Sequence, residues 1–140
     1  MKTVNELVKT IYLGDRACKH IVLDGWHKRF SIVIDRISRI RNPSGKWDFY
    51  SNEDIVDGAI VFEGLISFEF SPPGFVPCDW IEFIDVSPIS DSSGKKSQFK
   101  ATLSLGAIDA KGDSQEVTLT IVATSLHLEN PAAPGLKIIN

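Results

Sequence analysis

The 140-residue sequence predicts a mainly β protein, an antiparallel β-sandwich or flattened barrel with one N-terminal α-helix. Three observations predict it. Apolar and polar residues alternate through most of the chain, the period of half-buried strands. Breaks rich in Gly, Pro, Asn and Ser recur between the alternating runs. A T-x-x-E pattern with helical spacing behind it opens the chain.

Thr3 and Glu6 make that capping box, and Val4, Leu7, Val8, Ile11 and Tyr12 follow as one apolar stripe. Gly14 supplies a left-handed residue, so the helix is expected to end there and to cover a sheet. From Cys18 the period becomes two: His20, Val22 and Asp24 take one face, Lys19, Ile21 and Leu23 the other. Asp24-Gly25 signals a turn, and Phe30, Ile32 and Ile34 share a face of the returning strand. Ile37 and Ile40 continue the apolar line between Arg36, Arg39 and Arg41 until Asn42-Pro43-Ser44-Gly45 breaks it.

Trp47, Phe49 and Tyr50 cluster ahead of an acidic stretch, residues 53–57, which reads with Gly58 as a short strand and a loop. Residues 59–62 and 65–70 are two strands, or one strand bent at Gly64. Pro72-Pro73-Gly74 closes them, because prolines cannot donate to a ladder. Trp80, Ile81, Phe83, Ile84 and Val86 make a further strand, with a short helix as the competing reading. Residues 90–96 form a polar connection, and two long alternating runs, 99–108 and 117–128, form a hairpin around Lys111-Gly112-Asp113. After the irregular segment 130–135, Leu136, Ile138 and Ile139 either pack back or fray. The expectation is a single domain over residues 1–140, with about seven or eight strands and no internal repeat.

A net charge of -3 offers no field for phosphate backbones, and Lys95-Lys96 is too short a basic run, so no nucleic-acid partner is expected. Lys2, Glu6 and Lys9 interrupt any apolar leader, and the longest apolar runs fall far short of the ~20 residues of a spanning helix. These features predict a cytoplasmic protein with no membrane segment and with Cys18 and Cys78 reduced and mostly buried.

Catalytic signals are weak. Cys18 and His20 lie two apart on a strand, hence on one face, and Cys78 would complete a three-ligand metal set. The spacing lacks C-x-x-C and H-x-x-x-H, so packed or edge residues are the preferred reading. The same reading outweighs a reactive thiol at Cys18 or Cys78. Glu53, Asp54 and Asp57 lack the order of a calcium loop and read as a solvated turn. With no G-x-S-x-G, P-loop or G-x-G-x-x-G, neither an enzyme nor a cofactor or metal is expected. The aromatics are more informative: Trp26 and His27 occupy a hairpin tip, Trp47 and Tyr50 precede the acidic loop, and Phe75 and Trp80 flank a proline loop. Each has a plain use as a plug at the end of a sheet core. Taken together they predict a protein-binding surface of Asp24, Trp26, His27, Trp47, Tyr50, Asp54 and Asp57.

The stretches Leu13-Gly14-Asp15-Arg16-Ala17-Cys18, Asp35-Arg36-Ile37-Ser38-Arg39-Ile40 and Asp57-Gly58-Ala59-Ile60-Val61-Phe62-Glu63-Gly64 resemble those of small bacterial proteins, some similar to immunity proteins of polymorphic toxin systems. The resemblance implies a cytosolic protein that neutralises a toxin by binding it, and it carries over no individual residue. An acidic protein suits a basic partner, since opposite charge speeds encounter. The alternative expectation is a small-ligand- or metal-binding β-barrel. Either is a monomer or, through a free strand edge, a weak homodimer.

Overall fold

The computed structural model describes residues 3–48, 53–89 and 97–140. Helix α1 (Val4–Val8) carries the expected capping box: the Glu6 N–H donates to Thr3 Oγ1 at 3.2 Å and the Thr3 N–H to Glu6 Oε2 at 3.0 Å. It caps at Lys9, earlier than its apolar spacing predicts. Ile11–Tyr12 instead forms β1 and pairs with a strand from the middle of the chain, placing Ile11 opposite Arg39. Here tertiary pairing overrides a stripe that fits both periods. Gly14 is no left-handed cap; Tyr12 lies on it, and a Cβ there would stand 2.4 Å from the phenol oxygen.

Five strands, β2 (Cys18–Asp24), β3 (Arg29–Ile34), β6 (Ala59–Glu63), β11 (Ser125–Glu129) and β12 (Lys137–Ile138), form an antiparallel sheet in the order β12-β11-β6-β3-β2. Four others, β7 (Ser67–Ser71), β8 (Pro77–Ile89), β9 (Gln98–Ile108) and β10 (Ser114–Ala123), form a second in the order β7-β10-β9-β8. A small sheet takes the order β1-β4-β5, with β4 (Arg36–Arg39) central and β5 (Glu53–Val56) beside it. The two large sheets bury their alternate residues against each other: Phe30, Ile32, Ile60, Phe62 and Leu128 from one, Phe99, Leu103, Leu105, Leu119 and Ile121 from the other. The rings of Phe62 and Phe99 meet at 6.2 Å and those of Phe30 and Phe70 at 6.4 Å. The result is the expected mainly antiparallel β-sandwich with a helix on it; the sheets do not close into a barrel. Among the described residues no helix is long and apolar enough to cross a membrane.

Among the described residues the twelve strands exceed the expected number because long ribbons bend. β3 runs into β4 and β5 into β6 across one kink, where the Ile34 N–H donates to the Gly58 carbonyl at 2.9 Å and the Asp57 N–H to that of Asp35 at 3.0 Å. At a second corner, β6 passes into β7 and β10 into β11, so that both strands change sheets together. The Thr124 N–H donates to the Glu63 carbonyl at 3.1 Å, and the Ile66 N–H to that of Val122 at 2.8 Å. Gly64 has φ +63°, and a Cβ there would lie 1.9 Å from Thr124 Oγ1, so the corner admits only glycine. The expected hairpin forms between β9 and β10, but the run 117–128 is two strands in two sheets, and its last residues leave the hairpin for β11.

One further expectation changes. β2 carries a bulge at Lys19: Cys18 stands opposite Ile34 but His20 opposite Val33. Cys18 consequently faces the core and His20 faces outward, so the shared face expected for them is not formed. Trp80 lies on Gly106, where a Cβ would come within 2.3 Å of the indole, and its Nε1 donates to Ser104 at 3.3 Å. The tail packs back, with β12 paired to β11. Phe49, Tyr50 and the connection 90–96 lie outside the described residues.

Candidate functional site

The turn joining β2 to β3 is built by Asp24. Its carboxylate accepts the His27 N–H at 3.0 Å and meets His27 Nδ1 at 2.7 Å; the backbone bond above all holds the carboxyl below the usual range. Lys28 adopts φ +53°, and its carbonyl accepts the Leu65 N–H at 3.0 Å, pinning the turn to the corner that follows β6. On this tethered loop Trp26 is 90% exposed. An apolar rim continues from it. Leu23 pairs with Phe30, and Phe68 places its ring 5.3 Å from Phe30; both remain exposed, as does Ile66 beside the pinned Leu65. Leu23 on the edge strand β2 and Phe68 on the edge strand β7 thus flank Phe30 at an open mouth of the sandwich.

Sequence reasoning named Asp24, Trp26 and His27 but not Ile66 or Phe68. Alternation alone assigns Phe68 to the buried face, which is correct. Its exposure arises because β7 is an edge strand at the mouth, a fact of topology.

Trp47 and Asp54 belong to a different surface, the outer face of the small sheet. Trp47 stacks on Tyr12 with centroids 4.8 Å apart, and the Arg16 guanidinium stands 5.7 Å from the Tyr12 ring centre. Arg16 Nη2 donates to Ser38 Oγ at 2.7 Å, the Ser38 hydroxyl donates to Asp54 Oδ1 at 2.6 Å, and Arg36 Nη1 meets Asp54 Oδ2 at 3.4 Å. Ser38 is fully buried and the Asp54 side chain is only 18% exposed. Asp57 sits at the ribbon kink, paired with Lys19 at 2.7 Å. The tip is built on the five-stranded sheet and this face on the small one, at opposite ends of the kinked β3–β4 ribbon, so the two groups are two surfaces. Tyr50 lies outside the described residues.

The thiol and metal readings find little in the geometry. Burial, and secondarily the neighbouring Cys78, push the Cys18 thiol up to about 11, so it is protonated at neutral pH. Cys78, expected to be buried as well, is exposed on β8. Among the described residues no three His, Cys, Asp or Glu side chains are placed to hold a metal ion. Phenylalanine rings fill the space between the sheets, which weighs against the concave interior that a ligand-binding barrel requires. His127, 2% exposed, contacts Glu129 at 2.9 Å, and Arg29 joins the same carboxylate at 2.6 Å. Burial raises the Glu129 pKa, but these two partners outweigh it and hold the carboxyl below its ordinary value. Arg29 and Lys137 also reach Glu63, so this network ties β3, β6, β11 and β12 together.

A family of unknown function, DUF6258, matches residues 1–140, and the chain belongs to it. No curated protein and no solved structure matches the chain.

Proposed function

We propose that this protein is a non-catalytic protein-binding module that docks through the mouth around Trp26. The observation that carries the reading is a tryptophan 90% exposed on a turn held by the Asp24 carboxylate and pinned through the Lys28 carbonyl. Burying such a side chain contributes roughly 4 kcal/mol, and the tethered turn spares much of the ordering entropy that a mobile loop loses on binding. Leu23, Ile66 and Phe68 extend the apolar centre, while Asp24, Lys28 and Glu69 supply a polar rim. This is the anatomy of a recognition patch. The outer face of the small sheet is a poorer candidate because Ser38 and Asp54 are already engaged by Arg16, Arg36 and one another.

The resemblance to immunity proteins supports a toxin as the partner and the cytoplasm as the place of action. A net charge of -3 favours a basic one. A weak homodimer is the competing use of the same region, since β2 is a sheet edge carrying exposed Val22 and Leu23.

The test is affinity capture from a native lysate with wild type and Trp26→Ala side by side, together with sedimentation of the purified protein. A stoichiometric protein held by wild type and lost by Trp26→Ala supports the reading. A partner held equally by both overturns the surface, and dimerisation abolished by Trp26→Ala transfers the patch to self-association.

A further inference from the structure

β8 is the last strand of its sheet, and beyond the single bridge from Ala17 to Trp80 its outer edge has no strand partner among the described residues. Ile81, Glu82 and Phe83 face Leu105, Ser104 and Leu103 of β9 in regular register, so one edge of this segment is paired and the other is not. Natural sheet edges are commonly blunted by prolines or bulges. On β8 those devices flank the segment: the register is irregular before Ile81 and after Phe83, and Pro88 stands further on. Residues 81–83 themselves carry neither.

A pocket of about 430 Å³ takes one wall from four successive residues, Trp80 to Phe83. Successive strand side chains point to opposite faces, and here they do: Trp80 lies on Gly106 on the outside of the sheet, whereas Ile81 is buried in the core and Phe83 packs against it. A pocket that touches both sets runs along the strand's edge, where the free backbone groups point. The opposite wall is apolar, Val8, Ile11 and Leu13, and ends at Asp15. Asp15 and Glu82 are the charged members of the lining, and no basic side chain joins them. Both are exposed, and neither carboxylate has an ion-pair or hydrogen-bond partner among the described residues. Arg16, next along the chain, is turned away onto Ser38.

We propose that this groove takes an extended, basic segment of a partner protein, added as a further strand to the edge of β8. The backbone of the segment pairs with residues 81–83, its apolar side chains meet Val8, Ile11 and Leu13, and a lysine or arginine answers the carboxylates of Asp15 and Glu82. A second copy of this chain fits less well, because antiparallel pairing of two β8 edges brings two Glu82 side chains together, and like charges opposite one another destabilise a strand pair. The groove lies at the start of β2 and Trp26 beyond its end, so this surface is separate from the mouth and does not rest on that reading.

The test is an NMR titration of the full chain with a short blocked peptide of alternating valine and lysine. Its valine–glutamate counterpart and a valine–lysine peptide methylated at every backbone nitrogen serve as controls. The expected result is a saturable movement of the amide signals of residues 81–83 with the first peptide and none with the other two. Asp15→Asn combined with Glu82→Gln should weaken that binding about fivefold, and Trp26→Ala should leave it unchanged. Both acidic positions are exposed, and asparagine accepts the left-handed backbone of Asp15, φ +56°, so the double variant keeps the fold. The proposal is overturned if the first peptide does not saturate those signals, or if the methylated peptide or the double variant binds equally well. Loss of binding in Trp26→Ala overturns it by moving the peptide to the mouth. Movement of the same signals with protein concentration alone overturns it by assigning the edge to a second copy.

Discussion

The β2–β3 tip and the outer face of the small sheet each set a tryptophan among acidic side chains, and in the sequence they look alike. In the fold they are opposites. Trp47 is half-buried in a stack with Tyr12, and Asp54 is saturated by Ser38 and Arg36. At the tip, Asp24 is equally occupied, but its partner is the turn itself, and the tryptophan stays outside. A side chain already used by its own fold contributes to stability, and its exposure to a partner adds little. A large apolar side chain left out of a rigid, pinned turn has its free energy of burial still available.

That contrast can be broken by mutation. The largest effect is expected beneath the small sheet: Ile37 is fully buried against Ile55 and Gly58, and Ile37→Ala should cost about 2–5 kcal/mol in urea unfolding. Next, Trp26→Ala should leave stability within about 0.5 kcal/mol while weakening partner binding by about 2 kcal/mol or more, roughly 30-fold by calorimetry. If it instead destabilises as Ile37→Ala does, the tip is structural and the contrast fails. Ser38→Ala strands Arg16 and Asp54 and should cost about 1–3 kcal/mol with partner affinity unchanged. The smallest effect is a local titration. Because the Asp24 pKa is lowered on folding, its support for the turn is complete above the ordinary value of 3.8 and is lost as pH falls through the folded value. The His27 amide signal should therefore move with a midpoint under 3.8 while the core signals stay put.

Much of this was legible in the residues. The alternation in β3, β9 and β10 carried both large sheets, the capping box marked α1, and Asp24-Gly25 located the turn that presents Trp26. The end of α1 was not legible, because Ile11 and Tyr12 satisfy helical and strand periods alike and only Arg39, far along the chain, decides between them. Nor was the break at Thr124: a β-branched residue in an alternating run gives no local sign that it faces a glycine corner. The bulge at Lys19 was equally silent, and it reversed the relation of Cys18 to His20. Arg39, 1% exposed, is the instructive case for the core. A period of two from Ile37 does send it inward, but the residue type argues for the surface, and only the structure shows which argument prevails.

The corner at Gly64 and Thr124 bears on kinetics as well as shape. Two strands run continuously from one sheet into the other there, so neither sheet can peel away without withdrawing strands from its neighbour. Unfolding is expected as one cooperative step, and the Leu65 bond to Lys28 couples the tip to that step. Hydrogen exchange at the Leu65 amide should then report the same opening free energy as the core of β10. A loop that opens only when the whole molecule opens holds the backbone that carries Trp26 in one conformation on every encounter, and a partner meets it without waiting for a rare state.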